Sequence, residues 1–178
     1  MNQPLLQIQD LEISFQKEKI FVPVIQKISY ELFSNEILGI VGESGSGKSV
    51  SSLAIMGLLP KNISKITNGS IVFEGKNITV VNAKSFQKIR GNKIAMIFQE
   101  PMSSLNPSMK CGAQVAEILQ QHTDLSKKEI TAEVLFLFEN VKLPQPEVIF
   151  NKYPHEISGG QKQRVMIAMA IACKPQIL

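Results

Sequence analysis

Gly42-Glu43-Ser44-Gly45-Ser46-Gly47-Lys48-Ser49 decides the reading of this chain. The eight residues fit G-x-x-x-x-G-K-[ST], the P-loop pattern, which needs a strand leading in and a helix leading out. Both flanks agree. Glu36-Ile37-Leu38-Gly39-Ile40-Val41 is an apolar run of the kind that makes a buried strand, and Val50 to Leu59 reads as a helix that ends near Gly57 and Pro60. The residue types suit a polyphosphate. Glycines, lacking Cβ, let the backbone curl around it with N–H groups pointing inward. The helix that follows adds unpaired N–H groups and a positive dipole end. Lys48 would place its ammonium on the β- and γ-phosphates, and Ser49 would offer its hydroxyl to Mg²⁺. The competing reading is a plain Gly/Ser turn, which requires strand, loop, Lys-Ser and helix to coincide by chance. The motif predicts binding of a nucleoside triphosphate and does not say what the energy drives.

Working outward, 178 residues suffice for one domain with a sizeable core. A hydrophobic content of 44% against 19% charged residues excludes a disordered chain. The net charge of +4 is mild and no long basic run occurs, so nucleic acid is not expected as a partner. Cys111 and Cys173 are far apart and form no C-x-x-C, which argues against a metal site or disulfide framework and fits a reducing cytosol. No apolar run approaches the roughly 18 residues that span a bilayer; the longest, Val165 to Cys173, is about half that. Met1-Asn2-Gln3-Pro4 has no basic region of the signal-peptide type. Any work at a membrane would therefore go through a partner.

Leu11, Ile13 and Phe15 alternate with polar residues, as do Ile28, Tyr30 and Leu32, with Gln16 to Lys19 as a polar turn between them. This predicts antiparallel sheet ahead of the P-loop strand. Ile71 to Phe73 reads as a strand, Glu74 to Asn77 as a turn and Ile78 to Val80 as a short strand. Ala83 to Arg90 reads as a helix stopped by Gly91, and Lys93 to Gln99 as a buried strand. Pro101, Asn106 and Pro107 then make a loop. Gly112 to Gln121 carries Val115, Ile118 and Leu119 on one face, and Lys127 to Phe138 carries Ile130, Val134, Leu137 and Phe138 on another. Asp124 or Ser126 is the candidate cap of the second helix, and Pro144 and Pro146 break the pattern. The expected organisation is an α/β core over residues 1–100, a helical insertion over 101–157, and a last helix with the start of another core strand over 158–178.

Ser158-Gly159-Gly160-Gln161 is the second informative stretch. Serine with glutamine three residues later is a capping box, and an apolar helix follows to about Cys173. Two glycines in a first helical turn cost roughly 1 kcal/mol each against alanine, and Lys162 and Arg164 oppose the helix dipole. Such local inconsistencies mark functional sites. The residues alone fit two readings equally, a helix start kept open for an anion and a capped core helix with a Gly-rich lead-in.

The three stretches in order resemble the ATP-binding cassette (ABC) family. Ile157-Ser158-Gly159-Gly160-Gln161 is similar to its signature motif, with Ile where Leu is usual, and Gln99 is similar to its Q-loop glutamine. Phe98 to Pro107, Tyr153-Pro154-His155-Glu156 and Ile40 to Ser49 resemble more closely the ATPases of the peptide/nickel uptake branch, the dipeptide and oligopeptide importers. The resemblance implies a P-loop NTPase fold, an α/β cassette with a mainly parallel core sheet, an N-terminal antiparallel part and a helical subdomain. It implies ATP and Mg²⁺ as cofactors, held by Gly42, Glu43, Ser44, Gly45, Ser46, Gly47, Lys48 and Ser49, with Gln99 sensing Mg²⁺ and the γ-phosphate. Ser158, Gly159, Gly160 and Gln161 would meet the ATP of a second, head-to-tail cassette, in a homodimer or a heterodimer. Phe15 is either the aromatic that stacks on adenine or an inward strand residue. His122 and His155 are expected on the surface or in loops rather than as ligands. The further partners implied are integral membrane permease subunits and, indirectly, a solute-binding protein, with the cassette peripheral on the cytoplasmic face of the membrane.

A cassette would continue past Lys174 to Leu178 into a strand ending in the Asp that holds Mg²⁺ through water and the Glu that positions the attacking water. With neither present, these 178 residues alone are expected to hydrolyse ATP negligibly and to be weakly stable. Turnover abolished by Lys48→Ala, or a cooperative melt from a monodisperse sample, would contradict this. Two other functions compete with an importer ATPase. One is a cytosolic ABC protein without membrane partners, such as a translation factor or repair ATPase; the other is a short regulatory module that binds ATP without hydrolysing it. Co-purification with membrane subunits, as against ribosomes or DNA, separates the first pair, and the mass of the native polypeptide bears on the third.

Overall fold

The computed structural model describes residues 3–99 and 105–178, and it divides into two compact units between Phe86 and Gln87. Glu100 to Ser104, the middle of the Phe98–Pro107 stretch, lie outside the described residues.

In the first unit the alternation at the start of the chain forms an antiparallel hairpin. Strands β1 (Leu6–Lys17) and β2 (Ile20–Leu32) pair from Leu6↔Leu32 to Lys17↔Ile20. Leu6 and Ile8, then Leu11 and Ile13, are buried in period-two pairs, and the phase changes between Ile8 and Leu11, where the register of β1 with β2 shifts. β3 (Ser64–Phe73) pairs with the other edge of β1, and β4 (Lys76–Asn77) completes the order β2-β1-β3-β4. Two expectations are corrected here. β3 begins at Ser64, seven residues before the Ile71 expected from sequence, and runs through Asn68-Gly69. Gly69 has φ +80°, and a Cβ there would lie 2.3 Å from the carbonyl oxygen of Gln9, so glycine is what lets β3 pass the bulge in β1. The strand expected at Ile78–Val80 lies instead at Lys76–Asn77. Glu74 and Gly75 both take positive φ (48° and 73°), as a two-residue hairpin turn requires. The side chain of Asn77 then accepts the Thr79 N–H at 2.9 Å and ends the pairing.

Helix α1 (Lys48–Ile55) begins two residues earlier than expected. It ends in a Schellman motif: Gly57 takes φ +59°, Leu58 N–H donates to Leu53 and Gly57 N–H to Ala54. Helix α2 (Ala83–Gln87) is shorter than the predicted Ala83–Arg90 and carries Phe86 inward. The predicted strand at Glu36–Val41 joins no sheet among the described residues. Ile37 is 98% and Val41 94% exposed. A parallel strand depends wholly on inter-strand partners, and none of the described strands supplies one.

In the second unit the expected strand at Lys93–Gln99 is reduced to isolated parallel bridges, Arg90↔Ile94 and Ile94↔Ile177. Ala95 N–H donates to Ile177 at 2.9 Å, and Gln176 and Ile177 N–H groups donate to Lys93 at 2.9 and 3.1 Å. These bonds tie residues 93–95 to the last residues of the chain, within the unit that begins at Gln87. Helices α3 (Cys111–His122), α4 (Lys127–Asn140), α5 (Pro146–Asn151) and α6 (Gly159–Ile171) pack around one apolar cluster. Val115 and Leu119 of α3 and Ile130, Val134, Leu137 and Phe138 of α4 are buried in it, the i, i+4, i+7, i+8 stripe of an amphipathic helix. Ser126 rather than Asp124 caps α4, in a capping box with Glu129. Pro146, predicted as a breaker, opens α5 instead, because proline is tolerated in a first turn where no helical N–H bond is needed.

Candidate functional site

The Gly42–Ser49 stretch is a loop closed by the Ser46 N–H donating to Glu43 at 3.2 Å. Gly45 and Gly47 take φ +82° and +91°, in the left-handed region that costs other L-residues energy. Gly47 is also buried, and a Cβ on it would lie 2.3 Å from Cδ1 of Ile25 on β2. Two constraints therefore converge on one glycine. α1 starts immediately after it with no side-chain cap and no acidic residue in its first turn, so its positive end stays open. The Lys48 ammonium donates to the carbonyls of Gly42 (2.7 Å) and Glu43 (2.6 Å) and to Ser46 Oγ (3.3 Å), which holds the cation on the loop. Ser51 and Ser52 turn their hydroxyls back to the Lys48 carbonyl, whereas Ser49 is exposed at the second helical position. A fixed cation, an uncapped helix end and an open face at Gly45, where a Cβ would meet nothing within 4 Å, fit a polyphosphate.

Phe15 is half-buried on β1; the β1–β2 register slips between Ile13 and Ser14, where the extra residue is Val24 of β2. Phe15 lies two residues beyond Ile13, whose cross-strand partner Ile25 is the residue Gly47 packs against.

The second unit carries the other predicted residues. Ser158 caps α6 in the predicted box: its Oγ accepts the Gln161 N–H at 3.3 Å and its own N–H donates to Gln161 Oε1 at 2.8 Å. Gly159 and Gly160 are exposed, and a Cβ on either would meet nothing within 4 Å. Gln99 is exposed at the end of a described segment. Arg164, read from sequence as opposing the dipole at this helix start, has a different role. Its guanidinium donates to the carbonyls of Val141 and Lys142 and so satisfies the C-terminal end of α4, a pairing across more than twenty residues that no local pattern reveals. His155 is exposed and stacks on Tyr153 with centroids 5.6 Å apart, and the His122 ring lies beside Gly91. Sequence reasoning also passed over Gln114, a polar residue on the buried stripe of α3 whose carboxamide is fully engaged.

Residues 25–178 match the profile of the ABC transporter family. The oligopeptide transport ATP-binding protein OppD of Bacillus subtilis is 47% identical over 98% of this chain and 49% of its own length. The dipeptide transport ATP-binding protein DppD of the same organism is 44% identical over 98% of this chain and 52% of its own. The chain thus spans about half the length of the curated relatives it matches. Among solved structures, the ATP-binding cassette MJ0796, in a dimeric post-hydrolysis state bound to ADP and Pi, superposes with a TM-score of 0.83. It is 25% identical, over 96% of this chain and 70% of that one. With its profile matched over residues 25–178, the chain belongs to the ABC transporter family.

Proposed function

We propose that the chain is the ATP-binding portion of a peptide-importer ATPase. Gly42 to Ser49 would hold the phosphates of ATP. Lys48 would exchange its loop carbonyls for phosphate oxygens, and the open end of α1 would face the same charge. Ser49 and Gln99 would hold Mg²⁺, which neutralises charge on the β- and γ-phosphates when bound. Ser158, with its hydroxyl at an exposed helix start, and the backbone of Gly159 and Gly160 would contact the ATP of a second cassette, while Gln161 holds Ser158 in place. The half-buried Phe15 would stack on adenine. Hydrolysis would belong to the complete protein, paired with a second cassette and docked on membrane permease subunits at the cytoplasmic face, with a solute-binding protein delivering the solute. Peptides as the solute class are supported by the names of relatives such as OppD and DppD.

The observation that carries this reading is the Lys48 ammonium fixed on a glycine loop ahead of an uncapped helix. Calorimetric titration of the full-length protein with Mg·ATP tests it. Lys48→Ala removes charge-assisted contacts worth about 1.5–3 kcal/mol, so affinity is expected to fall roughly tenfold or more. Unchanged affinity in that variant would remove the basis of the proposal.

A further inference from the structure

Among the described residues, the Tyr30 hydroxyl on β2 is a side-chain polar atom closed off from solvent that makes no hydrogen bond. A buried group left in that condition costs free energy and calls for an explanation. Tyr30 pairs across the hairpin with Ile8, which is 1% exposed, so its ring turns to the covered face of the sheet. The group beside the hydroxyl is Ser51, at the end of the first turn of α1 and itself buried. Burial holds the Tyr30 hydroxyl above the ordinary tyrosine pKa, and the Ser51 hydroxyl acts against that rise. The two oxygens are thus neighbours that are not aligned for a bond. Their chemistry is complementary. Ser51 Oγ donates its proton to the Lys48 carbonyl at 2.7 Å, which leaves its lone pairs to accept, and the Tyr30 O–H is a donor without an acceptor.

We propose that Tyr30 is a positioning residue for Lys48, its hydroxyl bonding to Ser51 Oγ once the Lys48 ammonium has moved from the loop onto phosphate. This rests on the nucleotide-binding reading above. The Lys48 ammonium lies on the carbonyls of Gly42 and Glu43, and Lys48 is the first residue of α1. Exchanging those carbonyls for phosphate oxygens displaces the helix start, and Ser51 moves with it. The Tyr30 O–H then donates to Ser51 Oγ, whose own O–H donates to the Lys48 carbonyl, and each bond polarises the next. Because the hydroxyl is satisfied only in that arrangement, it biases α1 toward it. Ile25 of the same strand already packs against Gly47, so β2 holds the start of α1 at two points when phosphate is bound.

The test uses the full-length protein and Mg·ATP. Tyr30→Phe deletes one oxygen and keeps the ring. In calorimetric titration its dissociation constant is expected to rise about threefold or more, within the range of one net hydrogen bond. Its denaturation midpoint without nucleotide is expected at or above the parent's, because a buried unpaired group has been removed. A purely structural tyrosine does not give weaker binding together with undiminished stability. Ser51→Ala removes the acceptor and is expected to weaken binding at least as much. In that background Tyr30→Phe is expected to add less than about twofold. Ser51→Ala decides the matter alone if Tyr30→Phe does not fold. A rise below threefold in either variant overturns the proposal, as does a midpoint of Tyr30→Phe below the parent's. So does an effect of twofold or more in the Ser51→Ala background, which means that the hydroxyl acts through another group. Failure of the parent protein to bind Mg·ATP overturns the nucleotide reading itself and is seen before any variant is made.

Discussion

Gly47→Ala separates two constraints that meet at the start of α1. The first is conformational: alanine at φ +91°, ψ 4° costs roughly 1–2 kcal/mol. The second is steric. The new Cβ would lie 2.3 Å from Cδ1 of Ile25, itself only 4% exposed and paired with Ile13. A terminal methyl can rotate, but in a buried position it must displace a neighbour, so the cost is placed at about 1–2 kcal/mol, the lower part of the overpacking range. Together they come to about 2–4 kcal/mol. If the loop relieves this strain by shifting Lys48, Mg·ATP binding weakens by roughly 30- to 1000-fold at about 1.4 kcal/mol per decade. Calorimetric titration of the full-length protein measures it, and a double-mutant cycle with Ile25→Val assigns it. Valine lacks Cδ1, so Gly47→Ala in that background should recover about fivefold or more in affinity and retain only the conformational part. Gly45→Ala completes the series: it has φ +82° but open space, so its effect on chemical stability is the conformational cost alone. Binding by Gly47→Ala within threefold of the parent, or no recovery with Ile25→Val, would refute the reasoning.

Gly112→Ala should destabilise the protein by about 1–2 kcal/mol in chemical denaturation. The usual helical gain of about 0.5–1 kcal/mol is outweighed by a Cβ 2.3–2.6 Å from ring atoms of Phe150. Burial pushes the Cys111 thiol up to about 11 and also raises Cys173, which is only half-buried. Iodoacetamide near neutral pH should therefore label Cys173 first and Cys111 only after unfolding, as read by peptide mass mapping. The side chain and N–H of Ser126 hold the Glu129 carboxyl below the usual carboxylate range. A depressed folded value means that this contribution is complete above the unfolded pKa and is lost as pH falls through the folded one. Amide exchange in the first turn of α4 should accelerate in that acid window, and Ser126→Ala, which removes the hydroxyl and keeps the N–H, should weaken the dependence.

Much of the site was legible because its chemistry is local. The loop, the Ser158–Gln161 box and the helix stop at Gly57 each depend on residues within a few positions of one another. The stripes of α3 and α4 were legible for the same reason. What escaped depends on distant partners. The apolar run Glu36–Val41 has strand character, but pairing is set by other segments, and in the described sheet β1 takes β2 and β3 instead. The passage of β3 through Gly69 depends on the bulge at Gln9–Asp10, which lies in a distant strand. Arg164 and Gln114 find their acceptors through tertiary packing, so charge pattern alone misassigned the first and polarity alone passed over the second.

The open space around Gly159 and Gly160 bears on how variants of this chain would sort under selection. Nothing inside the chain meets a Cβ at either position, and neither takes a positive φ. Alanine is therefore permitted by the fold and favoured by helix propensity, by roughly 1 kcal/mol per site. A library sorted only for thermal resistance should drift toward alanine at both positions. One sorted for growth on an imported solute should hold glycine, if a second surface approaches that helix start. The divergence of the two libraries at these codons would measure, without any structure of the assembly, how closely the second surface comes.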